Sequence, residues 1–365
     1  RNIARRRRKL EARQAQAGHW RAKERPMFGR GTVHYEVGGY GDVMSYGGIA
    51  AVHRMATRLG LPRQIDTRLH LLKVHLPYHE SDHVLNLAYS VLAGGHCLED
   101  LELLRNDEVY LDALGAQRIP DPTTAGDFCR RFEPHDVEAL MDAINEARLR
   151  VWRQQPKAFF DEAVIEADGT LVETLGECKQ GMDVSYQGIW GFHPLVVSLA
   201  NTQEPLYLVN RSGNRPSYEG AAKRFDQAIA LCRRAGFRRI TLRGDTDFSQ
   251  TEQLDRWDAE GVRFVFGFDA MSNLVSLAAN LPKGAWKRLR RAPKYTVQTE
   301  PRERPVNIKE QIVRAREFKN IRLESEDVAF FAYAPTKCRK TYRVVVVRKN
   351  LSVEKGEAVL FDDVR

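Results

Sequence analysis

The chain has 365 residues, of which 43% are hydrophobic, and a formal net charge of +9 at pH 7. This length allows two domains or one large elaborated domain with a real core. The positive charge favours a polyanionic partner. The five cysteines are odd in number and form no C-x-x-C pair, which argues against a disulfide framework or zinc site and for a reducing cytoplasm. No apolar run approaches the ~18 residues of a membrane span, and no signal peptide is recognisable.

The first thirty residues form a strongly basic segment. They contain eleven Lys/Arg against two Glu, an excess that equals the net charge of the whole chain. We interpret residues 1–45 as a flexible or loosely helical N-terminal arm. It is either a phosphate-binding arm, with Arg5, Arg6, Arg7 and Arg8 on DNA, or a solubilising tail or read-through from an upstream frame. Because the sequence begins with Arg, we also expect it to be a fragment.

Residues 46–155 have helical periodicity and are interpreted as a DNA-binding module. The segment "GGIAAVHRMATRLG" has an apolar face and ends at Gly60, a residue typical of helix C-terminal caps. The segment "SDHVLNLAYSVLAGG" (81–95) is mostly apolar, which predicts a buried helix.

The segment "DPTTAGDFCRRFEPHDVEALMDAINEARLRVW" (121–152) carries the more specific signal of this module. A helix is predicted to begin at Pro122, with Phe128 and Phe132 four residues apart on one face. Arg130 and Arg131 project elsewhere. They face DNA if the segment is a helix-turn-helix, or solvent if it belongs to a packed helical bundle, and the sequence leaves both readings open.

From residue 156 the pattern changes to that of strands. "EAVIEADGT" predicts a strand that ends at Asp168, and "YQGIWGFHPLVVSLAN" and "EPLYLVN" predict two more. An amphipathic helix ("SYEGAAKRFDQAIALCRRAG"), a strand ending near Asp245, a helix at about 249–260 and the strand "GVRFVFGFD" follow. This is the element order of an RNase-H-like α/β core, a mixed sheet with flanking helices whose first three strands are antiparallel. We assign residues 156–275 to its first part.

Asp168 and Asp245 are the candidate metal ligands. They end the first and fourth strands, which are neighbours in such a sheet, and ligands bind at the carboxyl ends of strands in folds of this kind. Two Mg²⁺ (or Mn²⁺) ions held there would suit phosphodiester cleavage. Singly, each Asp is more typical of a turn. We expect Asp247 to cap the following helix, His193 to be structural and Cys178 to be inert.

Several segments resemble bacterial insertion-sequence transposases of the DDE type, in the group whose RNase-H-like core is interrupted by a β-rich insertion. They are "EADGTL", "YQGIWGFHPLVVSLANTQEPLYLVNRSGNRPS", "LRGDTDF" and "IPDPTTAGDFCRRF", and the resemblance covers nearly the whole chain. It implies that Asp168 and Asp245 are the first and second catalytic aspartates. It also implies that Arg211 and Asn214, in an "R-x-G-N" motif, belong to a DNA-facing loop.

This sequence departs from the family pattern at the third catalytic acid. In the family it is a Glu on a helix after the insertion. Here "DVAFFAYAPTKCRKTYRVVVVRKN" (327–350) predicts a β-hairpin that still belongs to the insertion, assigned to residues 276–365. Glu354 and Glu357 lie in a turn-like stretch. We therefore expect the core to be truncated and this chain to cleave DNA feebly or not at all.

The insertion contains a basic segment, "KGAWKRLRRAPKY" (283–295), with Trp286 and Tyr295 between its cations. Phosphate contacts and base stacking would suit a distorted DNA end; a solvated basic loop is the alternative. The cations predicted to contact DNA are Lys287, Arg288, Arg290 and Arg291.

Together these observations predict a DNA transposase of an insertion sequence. It would bind terminal inverted repeats and target DNA as double strands, act as a homodimer on paired ends, and cleave and transfer strands with Mg²⁺. We expect it in the bacterial cytoplasm at the nucleoid, with no membrane partner. The alternatives are a truncated DNA-binding remnant that does not cut and a cellular RNase-H-like nuclease, against which the helical module counts.

Overall fold

The structure is a computed structural model. It describes residues 46–177, 179–292 and 321–353 without a gap, and also residues 4, 7–9, 11–12, 15, 27–28, 303, 305–306 and 308–315. Its contacts divide the chain into two compact units. The first consists of Arg1–Ala163, Glu204–Leu208 and Gln227–Arg238, and the second of Val164–Gln203, Val209–Asp226 and Arg239–Arg365. The four-segment division drawn from the sequence stays a prediction.

The first unit is built mainly from short helices. They are α1 (Ile49–Arg58), α2 (Leu61–Arg68), α3 (Glu80–Leu92), α4 (Leu101–Arg105), α5 (Glu108–Ala113), α6 (Pro122–Cys129) and α7 (Pro134–Trp152). Tyr89, Tyr110 and Leu114 belong to its largest described core cluster. Gly60 adopts the left-handed conformation between α1 and α2 (φ 69°), as the sequence predicts. Among the described residues, no helix is long and apolar enough to cross a bilayer.

Helix α3 is buried as predicted, but largely through polar side chains. Its buried residues include Asp82, His83 and Asn86, while the apolar Val91 and Leu92 at its end are 70% and 60% exposed. The Asp82 carboxylate accepts hydrogen bonds from the main-chain N–H groups of Met27 (2.7 Å), Phe28 (2.8 Å) and His79 (2.9 Å). A buried carboxylate is tolerated because these donors compensate for the lost water. Local hydropathy could not reveal such distant partners.

The segment 121–152 forms two helices, α6 and α7. Asp121 caps α6 by accepting the N–H of Thr124 (2.9 Å), so the helix begins at Pro122 as predicted. Phe128 and Phe132 do meet edge to face, with 5.4 Å between ring centroids. The placement of Phe132 on the same helix was wrong, because α6 ends at Cys129 and Phe132 lies in the connection to α7.

The central sheet has five strands: β1 (Glu162–Gly169), β5 (Leu195–Leu199), β6 (Glu204–Val209), β7 (Arg239–Gly244) and β8 (Arg263–Phe266). Their order is β6-β5-β1-β7-β8. Strands β1 and β5 are antiparallel, and β7 and β8 are parallel. Helices α8 (Ala221–Ala235) and α9 (Thr251–Ala259) precede β7 and β8. This confirms the mixed, RNase-H-like α/β sheet.

A small three-stranded sheet was missed by the sequence analysis. It consists of β2 (Val172–Glu173), β3 (Asp183–Val184) and β4 (Trp190–Phe192), with β4 in the middle. The long strand predicted around "IWGFHPLVV" was wrong, because Pro194 separates β4 from β5 and supplies no N–H to a ladder. Gly191 permits close strand contact, since a Cβ there would lie 2.1 Å from the Val172 carbonyl oxygen.

The region after β8 is rich in long strands. Strands β10 (Ile321–Tyr333) and β11 (Tyr342–Val353) form the predicted antiparallel hairpin, and β9 (Lys287–Arg288) pairs with β10. Two helices, α10 (Ser272–Ala279) and α11 (Ile308–Ala315), flank β9 in the chain. Trp286 packs against the small cluster of Ala278, Ala329 and Val346 that holds this part together.

We predict that His83 makes the first unit sensitive to acid. Its ring stacks on Phe128 (4.3 Å between centroids), and its Nδ1 has no hydrogen-bond partner among the described residues. Burial lowers the pKa of His83 from 6.5 to about 4, so between these pH values only the unfolded chain binds the proton. Stability should therefore fall by about 3 kcal/mol as the pH drops from 6.5 to 4.

The test is urea unfolding across this pH range. His83→Phe keeps the stacked ring and removes the titrating group, so it should flatten this part of the profile. His135→Gln alters a largely exposed ring and serves as the control. Its stability should depend on pH in the same way as that of the parent chain. Equal pH dependence in the parent chain and His83→Phe would contradict the assignment.

Candidate active site

Strand β1 presents two different faces. Ile165 and Ala167 are buried, whereas Glu166 is intermediate and Asp168 is exposed. Alternate residues of a strand point to opposite sides. Glu166 and Asp168 therefore share the less buried face, and Asp168 is next to the last residue of the strand.

Strand β7 lies beside β1 and is aligned with it in the parallel sense. The Arg243 guanidinium bridges to both carboxylate oxygens of Glu166, at 2.7 Å from Nη2 and 3.2 Å from Nε. Asp168 and Asp245 each lie two residues further along, and the charge of Asp168 acts on Asp245. Two interactions in the same order along both strands are what parallel alignment produces. This alignment sets Asp168 and Asp245 at the same end of the sheet.

Asp245 is held by the turn that follows β7. Residues Thr246–Phe248 form one turn of 3₁₀ helix, and the Asp245 carboxylate accepts the N–H of Asp247 at 3.0 Å. The prediction that Asp247 caps a helix opening at Ser249 was wrong. Asp245 itself caps the 3₁₀ turn, and α9 begins only at Thr251.

The electrostatics of the site reflect several acids in a small space. Partial desolvation, together with the negative charges of Asp247 and Asp168, raises the pKa of the Asp245 carboxyl. The hydrogen bond from the Asp247 N–H opposes this rise. The contribution of Asp168 is consistent with two carboxylates near each other at this end of the sheet. Such crowding of carboxylates favours a bound cation.

The donor set fits a hard divalent cation. Two carboxylates on rigid strand ends supply the oxygen ligands that Mg²⁺ prefers, and it usually completes its shell with water and phosphate. Among the described residues no group of three His, Cys, Asp or Glu is placed to hold a metal ion. Glu354 and Glu357 lie outside the described residues.

His193 is structural, as predicted. It is buried, and its Nδ1 donates to the carbonyl oxygen of Arg215 at 2.8 Å. Its Nε2 lies against Gly169, where a Cβ would approach it to 2.5 Å. Only glycine fits directly after Asp168 without moving this ring. Cys178 lies outside the described residues; the other four cysteines are free thiols.

The "R-x-G-N" segment is tightly organised. The Arg211 guanidinium donates to the main-chain carbonyls of His193 (3.0 Å), Pro216 (3.1 Å), Ser217 (3.0 Å) and Glu219 (2.8 Å). The Asn214 amide donates to Asp183 at 2.6 Å. Arg211 thus shapes its own loop, a role the sequence analysis missed because its partners are carbonyl groups without a sequence signature. DNA contact by either residue stays a prediction.

Several other predicted DNA-binding cations already have protein partners. Arg7 pairs with Glu11 (2.9 Å), Arg130 with Asp127, and Arg291 with Glu326 (2.6 Å). The remaining described contacts are Arg8 to the Ala4 carbonyl (3.3 Å), Arg131 to the Leu71 carbonyl (3.4 Å) and Arg288 to Asp327 (3.9 Å). Arg5 and Arg6 lie outside the described residues.

The comparisons with known proteins identify the family of the chain. The family model described as "Transposase DDE domain group 1" matches residues 26–345. The chain belongs to this family. Among solved structures it is similar to a piggyBac transposase in a synaptic complex with hairpin DNA, at 11% identity and a TM-score of 0.34. That match covers 83% of this chain and 58% of the other, so the DDE-domain chain spans little more than half of that protein. No curated protein matches.

We predict that neutralising Asp168 lowers the pKa of Asp245. Removing the neighbouring negative charge makes ionisation of Asp245 easier. Carboxyl NMR titration of Asp168→Asn should therefore show Asp245 ionising at a lower pH than in the parent DDE-domain chain. Asp183→Asn, in another part of the same unit, is the control. An Asp245 titration that Asp168→Asn does not move would show that the two carboxylates are not neighbours.

Proposed function

We propose that this member of the DDE family is a DNA transposase of a bacterial insertion sequence. It binds terminal inverted repeats and target DNA as double strands and uses Mg²⁺ (or Mn²⁺) to cleave and join them. The observation that supports the proposal is that Asp168 and Asp245 stand at the ends of the neighbouring strands β1 and β7, with the charge of Asp168 acting on Asp245, in a chain of this family. Action as a homodimer on paired ends belongs to the same proposal.

The chain's own residues supply a rigid mount. Asp168 and Asp245 would hold the metal, which would supply activation of the attacking water or 3′-hydroxyl and stabilisation of the leaving oxygen. The Glu166–Arg243 ion pair joins the two strands two residues before the carboxylates. The Asp247 N–H orients the carboxylate of Asp245. Such preorganisation matters because a misplacement of about 1 Å can cost roughly a hundredfold in rate.

DNA affinity is proposed to come from cations that remain available to phosphates. In the basic segment 283–295, Arg291 and Arg288 face Glu326 and Asp327 of β10. Lys287 and Arg290 are exposed, and neither has a hydrogen-bond or ion-pair partner within the described part of the chain. Trp286 is covered by Arg348, whose guanidinium carbon lies 4.4 Å from the ring centroid. Lys287 and Arg290 are thus the better phosphate contacts of this segment.

The proposal predicts that Asp168→Asn and Asp245→Asn weaken divalent-metal binding and strand cleavage but spare DNA binding. Each should lower Mg²⁺-dependent nicking of a duplex with the flanking inverted repeat by about a hundredfold or more, because the cation loses half of this ligand pair. Mn²⁺ binding, followed by electron paramagnetic resonance, gives a readout that does not need activity.

Asp247→Asn is the matched control, since it removes the same charge two residues away from Asp245. It should retain most Mn²⁺ binding and nicking. Full nicking by both Asp168→Asn and Asp245→Asn would contradict the proposal. DNA binding and Mn²⁺ binding without any nicking by the parent chain would support the non-cutting remnant instead.

The available cations should also dominate the salt dependence of DNA binding. Each neutralised phosphate contributes about 0.9 to the negative slope of log affinity against log salt. Lys287→Gln/Arg290→Gln should therefore flatten the slope by about 1.8. The matched variant Arg288→Gln/Arg291→Gln loses the same charge from groups that face carboxylates, and it should flatten the slope less. Equal slopes for the two variants, measured by fluorescence anisotropy, would refute this assignment.

A further inference from the structure

A basic cavity lies in the second unit, beside the loop that follows β6. Its volume is about 460 Å³. Among the described residues, four cationic side chains line it, and Glu219 is the only acidic residue in its lining. The cationic residues are Arg211, Arg215, Lys223 and Arg224. A concave site with this charge balance attracts anions, because its walls concentrate the positive potential.

Arg211 gives the cavity its shape. Its Nε and Nη1 bond to main-chain carbonyls, whereas its Nη2 is buried without a hydrogen-bond partner among the described residues. Burial lowers the pKa of this guanidinium, and the charge of Glu219 opposes the effect. A buried cation with an unused donor is costly. An anion in the cavity would relieve that cost by restoring the favourable electrostatic interaction that water provided.

The other cations come from two further elements. Arg215 follows the "R-x-G-N" motif and forms a solvent-exposed ion pair with Glu219 at 3.2 Å. Lys223 and Arg224 belong to the first turn of α8, whose start is marked by Gly220 in the cavity wall. Cationic side chains from the loop and from the helix therefore line the same space.

The cavity lies at the same end of the sheet as the first aspartate. Leu195 lines it and pairs with Gly169 in the sheet, and the adjacent pair in the ladder joins Val196 to Asp168. Arg211 donates to the carbonyl oxygen of His193, whose ring lies against Gly169. Because alternate strand residues point to opposite sides, Leu195 and Asp168 are on different faces. A DNA strand that passes this end of the sheet could therefore contact both.

We propose that this cavity binds a backbone phosphate of the DNA strand near the phosphate that is cut. The inference rests on the proposed function, because it is the carboxylate pair at the same end of the sheet that makes a DNA strand the expected source of the phosphate. It adds Arg215, Lys223 and Arg224 to the DNA contacts that sequence reasoning proposed. The phosphate would anchor the strand so that the scissile phosphate faces Asp168 and Asp245.

The test is binding of a duplex of about 30 base pairs, long enough to cover a typical interface, in EDTA and over a range of salt concentrations. Arg215→Gln/Lys223→Gln should weaken binding about tenfold, as expected for lost charge-assisted hydrogen bonds. It should flatten the salt slope by about 0.9, the contribution of one phosphate. Arg153→Gln/Lys157→Gln removes the same two charges from exposed positions in the first unit, and should change neither quantity.

A second measurement separates DNA phosphate from free phosphate. The thermal midpoint of the parent chain and both variants is compared when inorganic phosphate replaces chloride at constant ionic strength. Stabilisation that is lost in Arg215→Gln/Lys223→Gln supports an anion site in the cavity. If that stabilisation occurs but DNA binding and its slope are unchanged, the site takes only small free anions and the DNA assignment is overturned.

The outcomes also distinguish this inference from the proposed function. Because binding is measured in EDTA, it does not depend on cleavage by Asp168 and Asp245. Unchanged DNA affinity and slope in Arg215→Gln/Lys223→Gln, beside normal nicking, would overturn the cavity alone. The predicted loss of affinity in a chain that never nicks DNA would support the cavity and count against the cutting activity. Equal loss in the control variant would show only general charge attraction and would overturn the inference.

Discussion

The parallel alignment of β1 and β7 is the constraint on which the candidate site depends. The Arg243–Glu166 ion pair records this alignment, because its two residues stand at equal distances before Asp245 and Asp168. A shift of one residue would turn one aspartate to the other face of the sheet and separate the pair. The pair itself is half exposed and contributes little to stability. The register is held instead by the buried alternation of Ile165 and Ala167 with Ile240 and Leu242.

Electrostatic strain and its relief are arranged around this register. Asp245 ionises less readily because of partial desolvation and the charges of Asp247 and Asp168, while the Asp247 N–H works in the opposite direction. In the loop after β6, Arg211 is a cation with reduced solvation. The carboxylates at the ends of β1 and β7 and the cations of the cavity thus form two regions of opposite charge. A metal ion at the carboxylates and a phosphate in the cavity would balance these charges. The two proposals therefore support each other.

Much of this architecture could be predicted from the sequence, because strands and helices with strong periodicity carry local signals. The strand around Ile165, helix α8 and the β10–β11 hairpin fall where their patterns place them. Sequence patterns do not predict an interaction when the partner of a side chain is distant in the sequence or is a main-chain group. The donors that make a buried Asp82 acceptable come from residues 27, 28 and 79. The sequence pattern predicts one strand where the structure has β4 and β5. The break falls at Pro194, which has no N–H to offer a strand ladder.

The candidate site shows the same division between local and distant information. Asp168 and Asp245 were recognisable because each ends a strand, and the strand order then brings them together. The cationic residues were harder to interpret, because composition counts every arginine equally. Arg291 faces a carboxylate and Arg211 is bound to carbonyl groups, whereas Arg215 and Lys223 line a cavity, where Arg215 also pairs with Glu219. A phosphate interacts with the positive potential that remains after cations of the protein have paired with its own carboxylates. Net charge therefore indicates the class of partner, and only the internal pairing shows which cations remain available to bind it.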